Sequence, residues 1–236
     1  MSSGDTYKNR VLTALPEEVL ARFFVDMERV SLPLRHIFYE PSAPIEHIYF
    51  LEEGLACILT KFASGSAVEI GMIGNEGMVG VAALLGHETS EQQIVTQIPG
   101  TALRTSVAQC KEALDQSAAM RAAVNRMAGY LLSQFAQTAG CNRHHSIEQR
   151  LARWLLMASD RAHSDAMPMT HEFFSTMLGV RRTGVTDTAG GLQRSGLIEY
   201  RRGRIRLIDR DGLEATACEC YGSDRARLRR AISSDQ

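Results

Sequence analysis

The sequence of 236 residues lacks the features that mark secreted and membrane-bound proteins. It has five cysteines, an odd and scattered set that does not suit a disulfide framework and favours a reducing compartment. No apolar run approaches the roughly 20 residues that a membrane-spanning helix needs, and the stretch MSSGDTYKNR does not resemble a signal peptide. These absences predict a cytoplasmic protein that does not bind membranes.

Net charge is also nearly absent, at -1, although acidic and basic residues are concentrated in different parts of the chain. Between Glu46 and Glu91 the acidic residues face a single base, Lys61. From Arg181 onward arginines dominate: Arg181, Arg182, Arg194, Arg201, Arg202, Arg204, Arg206 and Arg210. This asymmetry predicts an anionic partner for the C-terminal segment.

The sequence offers no nucleophile, base and orienting group in a recognisable catalytic arrangement, so we do not expect an enzyme. The close metal-type pairs are Cys218 with Cys220 and His144 with His145. Each pair supplies two ligands, whereas a structural zinc site takes four. We therefore interpret them as structural or surface residues and predict neither a metal nor a cofactor.

The first part of the chain has the pattern of a small β domain. A short helix is predicted over residues 16–27, with Val19, Leu20, Phe23 and Phe24 on one side. Short β-branched or aromatic segments follow, and prolines and glycines separate them. Several short strands with regular turn signals predict a β-sandwich or small barrel, which we place at residues 1–106.

The next segment favours a long helix over residues 107–141, because its first 33 residues contain no proline and only Gly129. Six residues at 4-3-4-3-4 spacing form a seam along it: Met120, Val124, Met127, Leu131, Gln134 and Thr138. Such a seam packs either on the helix's own β domain or on a second copy of the helix. Because the helix bridges two domains, we assign the seam to a dimer interface.

Residues 142–212 have the signals of two short helices and a hairpin. Ser146 and Gln149 match a capping box, which places a domain hinge near residues 141–145, and HSDAMPM is interpreted as a linker. Thr170 is a helix N-cap, and Gly179 supplies a tight turn. The second helix, about Arg182 to Ser195, has Val185, Ala189 and Leu192 inward and is closed by Gly196.

The hairpin follows in LIEYRRGRIRLID, which alternates around Arg202 and Gly203. Helix, turn, helix and hairpin in this order predict a winged helix-turn-helix, and residues 213–236 are left as a C-terminal tail. Arginines at the start of the second helix and in the wing suit duplex DNA. The predicted DNA-contacting residues are Thr170, Arg181, Arg182, Thr183, Thr186, Asp187, Arg201, Arg202 and Arg204.

Four stretches together resemble a known family: FYEPSAPIEHIYFLEEG, IGNEGMVGVAALLG, SIEQRLARWLLMASDR and LGVRRTGVTDTAGGLQRSGLI. The layout, from about Leu12 to Ile208, is similar to the Crp/Fnr superfamily of bacterial transcription regulators. The resemblance implies an α+β fold: an antiparallel, jelly-roll-like β-roll that resembles cyclic-nucleotide-binding domains, a long dimerisation helix and a winged helix-turn-helix. It also implies a homodimer on a pseudo-palindromic operator, with RNA polymerase as a candidate partner.

The chain departs from the family's cyclic-AMP contacts. The positions of the family's Gly-Glu and Arg-Ser pairs fall here on Gly80 and Val81 and on about Gln92 and Gln93. Val81 cannot bind a ribose hydroxyl and Gln92 has no charge for a phosphate, so we expect no tight cyclic-nucleotide binding by the usual contacts. The four residues remain a candidate pocket for an unknown small-molecule effector. The alternative function is a small-molecule sensor that signals through a protein partner.

The second departure is in the recognition helix, where the family's reading positions hold Arg182, Thr183 and Asp187. We therefore expect a different operator. Gly184, Gly190 and Gly191 together forfeit about 3 kcal/mol of helix propensity. We expect this helix to be loosely ordered without DNA, and we interpret Gly190 and Gly191 as sites where a neighbouring helix approaches closely.

Overall fold

The structure is a computed structural model that describes residues 7–180 and 182–232, without the side chains of residues 171, 172, 182 and 183. Its N-terminal half is a curled antiparallel sheet entered by two short helices. The helices are α1 (Arg10–Thr13) and α2 (Glu17–Phe23), and the strands are β1 (Glu28–Leu32), β2 (Ile37–Tyr39), β3 (His47–Lys61), β4 (Ala67–Ile73), β5 (Met78–Val79) and β6 (Gln93–Ser106), with α3 (Val81–Leu84) between the last two. The strand order is β1-β6-β3-β4, with β2 paired to β6 and β5 to β3, which confirms the predicted β-roll.

The two long strands β3 and β6 form the centre of the β-roll. They pair from His47 opposite Ser106 to Leu59 opposite Gln93, with register shifts on either side of Gly54. Gly54 has a positive φ of 87°, and a Cβ at Gly100 would lie 2.0 Å from the Glu53 carbonyl oxygen. Only glycine fits such a close approach. Gly54 and Gly100 therefore permit the irregular hydrogen bonding that bends the two long strands.

The segment predicted as one helix is two helices, α4 (Val107–Gln116) and α5 (Ala118–His144). Ser117 separates them with an extended backbone, φ -123° and ψ 119°. Its Oγ accepts a hydrogen bond from the Met120 amide at 3.2 Å and so caps α5. Serine interrupts the predicted helix because its side chain replaces a backbone hydrogen-bond partner.

The predicted seam of α5 faces its own β-roll. Met120, Val124, Met127, Leu131 and Gln134 are buried within the single chain, and Thr138 is half-buried. The Gln134 side-chain oxygen accepts from the Met72 amide of β4 at 2.6 Å. The assignment of the five buried residues to a dimer interface is therefore wrong, because the chain's own β-roll already covers them, whereas Thr138 keeps part of its surface exposed.

The opposite face of α5 is exposed to solvent. Its members follow the same heptad spacing: Ala118, Ala122, Asn125, Gly129, Leu132 and Ala136. Leu132 has 68% of its surface exposed, the largest fraction among the exposed large hydrophobic residues in the described part of the chain. We call these six residues the outer seam.

The C-terminal domain contains the predicted helices and hairpin. Its elements are α6 (Ile147–Ala162), β7 (Ala166–Pro168), α7 (His171–Leu178), α8 (Arg182–Arg194), β8 (Ile198–Arg201) and β9 (Arg204–Leu207). The capping box of Ser146 and Gln149 is present at the start of α6. The predicted linker instead contains a strand, β7, which pairs with β9. Pro168 fits there because β7 is an edge strand, where a missing N–H is tolerated.

The two domains share one apolar cluster. Leu55, Leu59 and Met72 of the β-roll lie in it together with the buried faces of α6, α7 and α8. Across this contact the Trp154 indole N–H donates to Oε1 of Glu69 at 2.8 Å. The C-terminal domain therefore rests on the outside of the β-roll in this conformation.

The predicted C-terminal tail is helical in its described part. It holds the end of α9 (Arg210–Thr216) and all of α10 (Cys220–Ile232), and α10 packs on α5. The buried Arg161 of α6 pairs with Asp224 of α10 at 2.8 Å and with Glu76 of the β-roll at 3.0 Å. Charge pairing holds α10 in place. The helix therefore does not need the strong apolar stripe by which the sequence could have revealed it. None of the helices within residues 7–180 and 182–232 is long and apolar enough to cross a membrane.

Candidate nucleic-acid interface

The helix-turn-helix is formed by α7, the turn at Gly179 and α8. The Thr170 hydroxyl oxygen accepts from the Phe173 amide at 3.2 Å, so Thr170 is the predicted N-cap of α7. Gly179 has a φ of 62°, and a Cβ there would lie 3.0 Å from Val68 of β4. The turn therefore needs glycine both for its backbone conformation and for its contact with the β-roll.

Helix α8 has an inward face and an outward face, as predicted. Val185, Ala189 and Leu192 are buried, while Thr186 and Asp187 are exposed. Of the other predicted contacts on this helix, Arg181 lies outside the described residues, as do the side chains of Arg182 and Thr183. The outward residues lie near the N-terminal end of α8, the end that reaches base edges in helix-turn-helix proteins.

The glycines of α8 are not sites of close approach. A Cβ at Gly184 would lie 3.4 Å from Ile147, one at Gly190 3.3 Å from the end of the Arg194 side chain, and one at Gly191 3.9 Å from Glu148. Two of these are ordinary contacts, and the third involves a flexible side chain. The interpretation of Gly190 and Gly191 as packing glycines is therefore wrong, because α8 leaves room for alanine.

The wing is the hairpin of β8 and β9. Ile198 pairs with Leu207 and Tyr200 with Ile205, as expected for a hairpin that turns at Arg202 and Gly203. Arg202 and Gly203 at its tip have positive φ values of 51° and 74°, the backbone of a two-residue hairpin turn whose strands keep their natural twist.

The wing arginines are exposed and lie next to the start of α7. Arg201, Arg202 and Arg204 all face solvent. The Met169 amide donates to the Gly203 carbonyl oxygen at 2.7 Å, which places Thr170 beside the wing tip. The structure therefore brings four of the predicted contacts to one end of the domain.

The same end faces the β-roll across a cleft of about 450 Å³. Thr170, Phe173 and Gly203 line one wall, and Arg35 and Gln93 line the other. Thr170 and the wing tip are therefore close to the β-roll on the side that faces the cleft.

A second cavity, of about 180 Å³, lies between the β-roll and α5. Gly80, Val81 and Gln92 of the candidate effector pocket line it, whereas Gln93 lines the cleft and donates to Glu40 at 2.8 Å. Most of the remaining lining is aliphatic, including Ile58, Ile73, Met78, Ile94 and Leu131. Among the described residues that line this cavity there is no lysine or arginine. Apart from the polar side chains of Tyr39, His87, Ser90 and Gln92, its chemistry suits an apolar ligand.

A cluster of metal-type ligands was missed by the sequence reasoning. Cys141, His145, Cys218 and Cys220 place one donor atom each within 4.8 Å of one another, and the three cysteines are buried. Cys218 and Cys220 are interpreted from the sequence as structural or surface residues, and the fold places two more donors, Cys141 and His145 from the end of α5, beside them.

The two halves of the chain each match a known domain family. Residues 29–117 match the cyclic nucleotide-binding domain, and residues 149–216 match the Crp-like helix-turn-helix domain. A sensor domain of the cyclic-nucleotide-binding type is thus joined to a DNA-binding domain of the Crp type. With these two domains, which together match well over half of it, the chain belongs to the Crp/Fnr superfamily of transcription regulators.

Solved structures have the same fold. FixK2 from Bradyrhizobium japonicum superposes with a TM-score of 0.70 at 15% identity, over 82% of this chain and 98% of that one. TTHB099, a transcriptional regulator of the CRP family from Thermus thermophilus, gives 0.67 at 21% identity, over 81% and 96%. The c-di-GMP responsive regulator CLP from Xanthomonas campestris gives 0.67 at 17% identity, over 82% and 99%. No curated protein sequence matches the chain.

Proposed function

We propose that the protein is a homodimeric transcription regulator that binds a specific sequence of duplex DNA. The observation that carries the proposal is the pairing of an outward-facing recognition helix with an exposed, arginine-bearing wing. Thr186 and Asp187 are exposed on α8, and Arg201, Arg202 and Arg204 are exposed on the wing. A helix in the major groove and a basic hairpin beside it form a surface complementary to a DNA duplex.

In this proposal α8 reads bases and the wing positions the protein. Arg182 pairs with the two acceptors of a guanine, Thr183 contacts a thymine methyl group, and Asp187 accepts from a cytosine amino group. Thr170, Arg181 and Thr186 contact the backbone. The wing residues Arg201, Arg202 and Arg204 contact phosphates or the adjacent minor groove, which fixes orientation without choosing the sequence.

The dimer forms through the outer seam of α5. Its spacing is that of a two-stranded helical contact, and its alanines and glycine allow close approach of a second helix. Two copies related by a twofold axis place the same residues opposite one another. Leu132, with most of its surface exposed, becomes the central apolar contact. Dimerisation in turn supplies the two recognition helices that a pseudo-palindromic operator requires.

The cavity between the β-roll and α5 takes an apolar effector and not cyclic AMP. Its aliphatic lining and the position of Val81 support this assignment, because a nucleotide phosphate needs a cationic partner or several directed donors when it is buried. Leu131 of α5 lines the cavity, and the next residue, Leu132, belongs to the outer seam. A ligand in the cavity therefore bears directly on the helix that forms the dimer.

The cavity also supports the rival function, a ligand sensor that acts through a protein partner. Such a sensor needs the cavity but no affinity for DNA. The wing disfavours it, because three exposed arginines at a hairpin tip have no role in ligand sensing.

Selection of bound sites from random duplexes by the purified protein tests the proposal. We expect enrichment of a site with two related halves about 10 base pairs apart, centre to centre. Binding to that site should weaken steeply with added salt, since arginine contacts release condensed counterions. Recovery of no enriched sequence, with a folded protein, would leave the ligand sensor as the better account.

A further inference from the structure

The cluster of Cys141, His145, Cys218 and Cys220 lies where two distant parts of the chain meet. Cys141 is in the last turn of α5, and His145 is the residue that ends this helix. Cys218 lies in the connection between α9 and α10, and Cys220 is the first residue of α10. The cluster is outside both the proposed DNA interface and the effector cavity, so neither function explains it.

Two of the distances between donor atoms match the edges of a tetrahedral zinc site, and all four donor atoms lie within 4.8 Å of one another. Cys141 Sγ lies 3.6 Å from Cys218 Sγ, and Cys220 Sγ lies 3.7 Å from Nδ1 of His145. Zinc bonds of about 2.3 Å to sulfur and 2.0 Å to nitrogen give tetrahedral edges of about 3.8 Å between sulfurs and 3.6 Å between sulfur and nitrogen. Three thiolates and one imidazole are a common ligand set of structural zinc.

Neighbouring groups orient the ligands as they do in known zinc sites. Nε2 of His145 lies 3.3 Å from the Glu219 carboxylate, which leaves Nδ1 facing the cysteines. A carboxylate behind a histidine fixes the tautomer that presents its other nitrogen to a metal. The Gln137 amide donates to Cys220 Sγ at 3.0 Å, a bond that favours the thiolate.

A buried cation, Arg153, lies beside the cluster. Arg153 is 93% buried, since its exposed fraction is 7%, and neither its Nε nor its Nη2 has a hydrogen-bond partner among the described residues. It lies close enough to Cys141 and Cys220 for its charge to act on both sulfur atoms. Three thiolates, a neutral imidazole and a divalent ion carry one net negative charge, which Arg153 neutralises.

We propose that Cys141, His145, Cys218 and Cys220 form a structural site for one Zn²⁺ ion. The ion joins the end of α5 to the start of α10 at the boundary between the sensor and DNA-binding domains. The ligands come from segments 77 residues apart, so the complete site exists only in the folded chain. Binding of the ion therefore stabilises the packing of α10 on α5.

Metal analysis of the full-length protein, purified without added chelator, tests the site. We expect about one zinc ion per chain in the wild type and loss of most of it in the Cys218→Ser/Cys220→Ser variant. Cys110→Ala is the matched control, because Cys110 is a buried free cysteine in α4 and should leave the zinc content unchanged. Circular dichroism establishes whether each variant is folded.

A second measurement needs no variant. Zinc-free wild-type protein titrated with Co²⁺ should develop thiolate-to-cobalt absorption and the visible bands of a tetrahedral site, saturating at about one equivalent. Folded protein that takes up neither ion would overturn the proposal. Full zinc content in a folded double variant, an iron–sulfur chromophore, or a Cys141–Cys218 disulfide in protein purified under nitrogen would do the same. DNA binding enters none of these readouts, so they are independent of the proposed function.

Discussion

At the scale of single residues, Glu69 shows how a buried acid can make the contact between the two domains depend on pH. It lies on β4 and accepts a hydrogen bond from Trp154 of α6. Burial raises the pKa of its carboxyl from 4.5 to about 7. Between these values the folded chain keeps a proton that the unfolded chain has released. The free energy of unfolding therefore falls as pH rises through this window, and Glu69 adds no further change above it.

Glu69→Gln should remove this dependence, because the amide is neutral at every pH and its oxygen can still accept from Trp154. We expect similar stabilities at pH 5 and a variant more stable by about 3 kcal/mol at pH 8. Denaturant unfolding at the two values measures the difference, with the exposed Glu46→Gln as control. Parallel pH profiles for wild type and Glu69→Gln would show that the carboxyl does not titrate in this way.

Two glycines of the helix-turn-helix should respond to alanine in opposite directions. Gly191→Ala should stabilise the protein by about 1 kcal/mol, because α8 is helical there and the added methyl group meets nothing closer than 3.9 Å. Gly179→Ala should destabilise it by about 1 kcal/mol or more, since its φ is positive and Val68 is 3.0 Å away. Thermal unfolding of the two variants measures both changes in stability. A change of the same sign in both variants would be evidence against the described turn.

At the scale of secondary-structure elements, α5 shows what a periodic pattern leaves undecided. The spacing from Met120 to Gln134 identifies a buried face but not the surface that buries it. In the structure that surface is the β-roll, as the bond from the Met72 amide to Gln134 shows. Small residues on the outer seam carry little hydrophobic signal, so the sequence pattern pointed to the wrong face of this helix.

Leu132→Glu should separate the proposed dimer, because it replaces an apolar contact with two like charges near a twofold axis. Loss of two buried leucines raises the dissociation constant on the order of 100-fold. Sedimentation velocity over a range of concentrations measures it, with Val25→Glu as a control at another exposed apolar residue. A variant that dimerises like the wild type would exclude the outer seam as the interface.

At the scale of the whole molecule, local signals were readable from the sequence and distant contacts were not. The cap at Thr170, the turn at Gly179 and the alternation of the wing each depend on a few neighbouring residues, and the structure contains all three. The proposed zinc ligands come together only because α10 packs on α5. Asp224 fixes this packing through buried hydrogen bonds with Tyr130 and Arg161. Sequence spacing contains no trace of such a contact.

The domain arrangement also bears on regulation. The C-terminal domain rests on the β-roll through the apolar cluster around Trp154, and Thr170 lines the cleft between them. A duplex that contacts Thr170 has to enter this cleft or the domain has to turn away from the roll. If the cavity beside α5 takes the proposed effector, its binding should change DNA affinity by shifting the balance between two domain arrangements.

The central claim, that α8 and the wing form one DNA interface, is tested most directly by anisotropy titrations of two variants on a selected duplex and a scrambled one. Arg182→Ala should lose about 1–3 kcal/mol on the selected duplex, with relaxed preference at one base pair and little change on the scrambled one. Arg204→Ala should weaken both complexes about equally and lower the salt slope by about 1. Equal losses for Arg182→Ala on both duplexes, or no effect of Arg204→Ala at any salt concentration, would contradict the account.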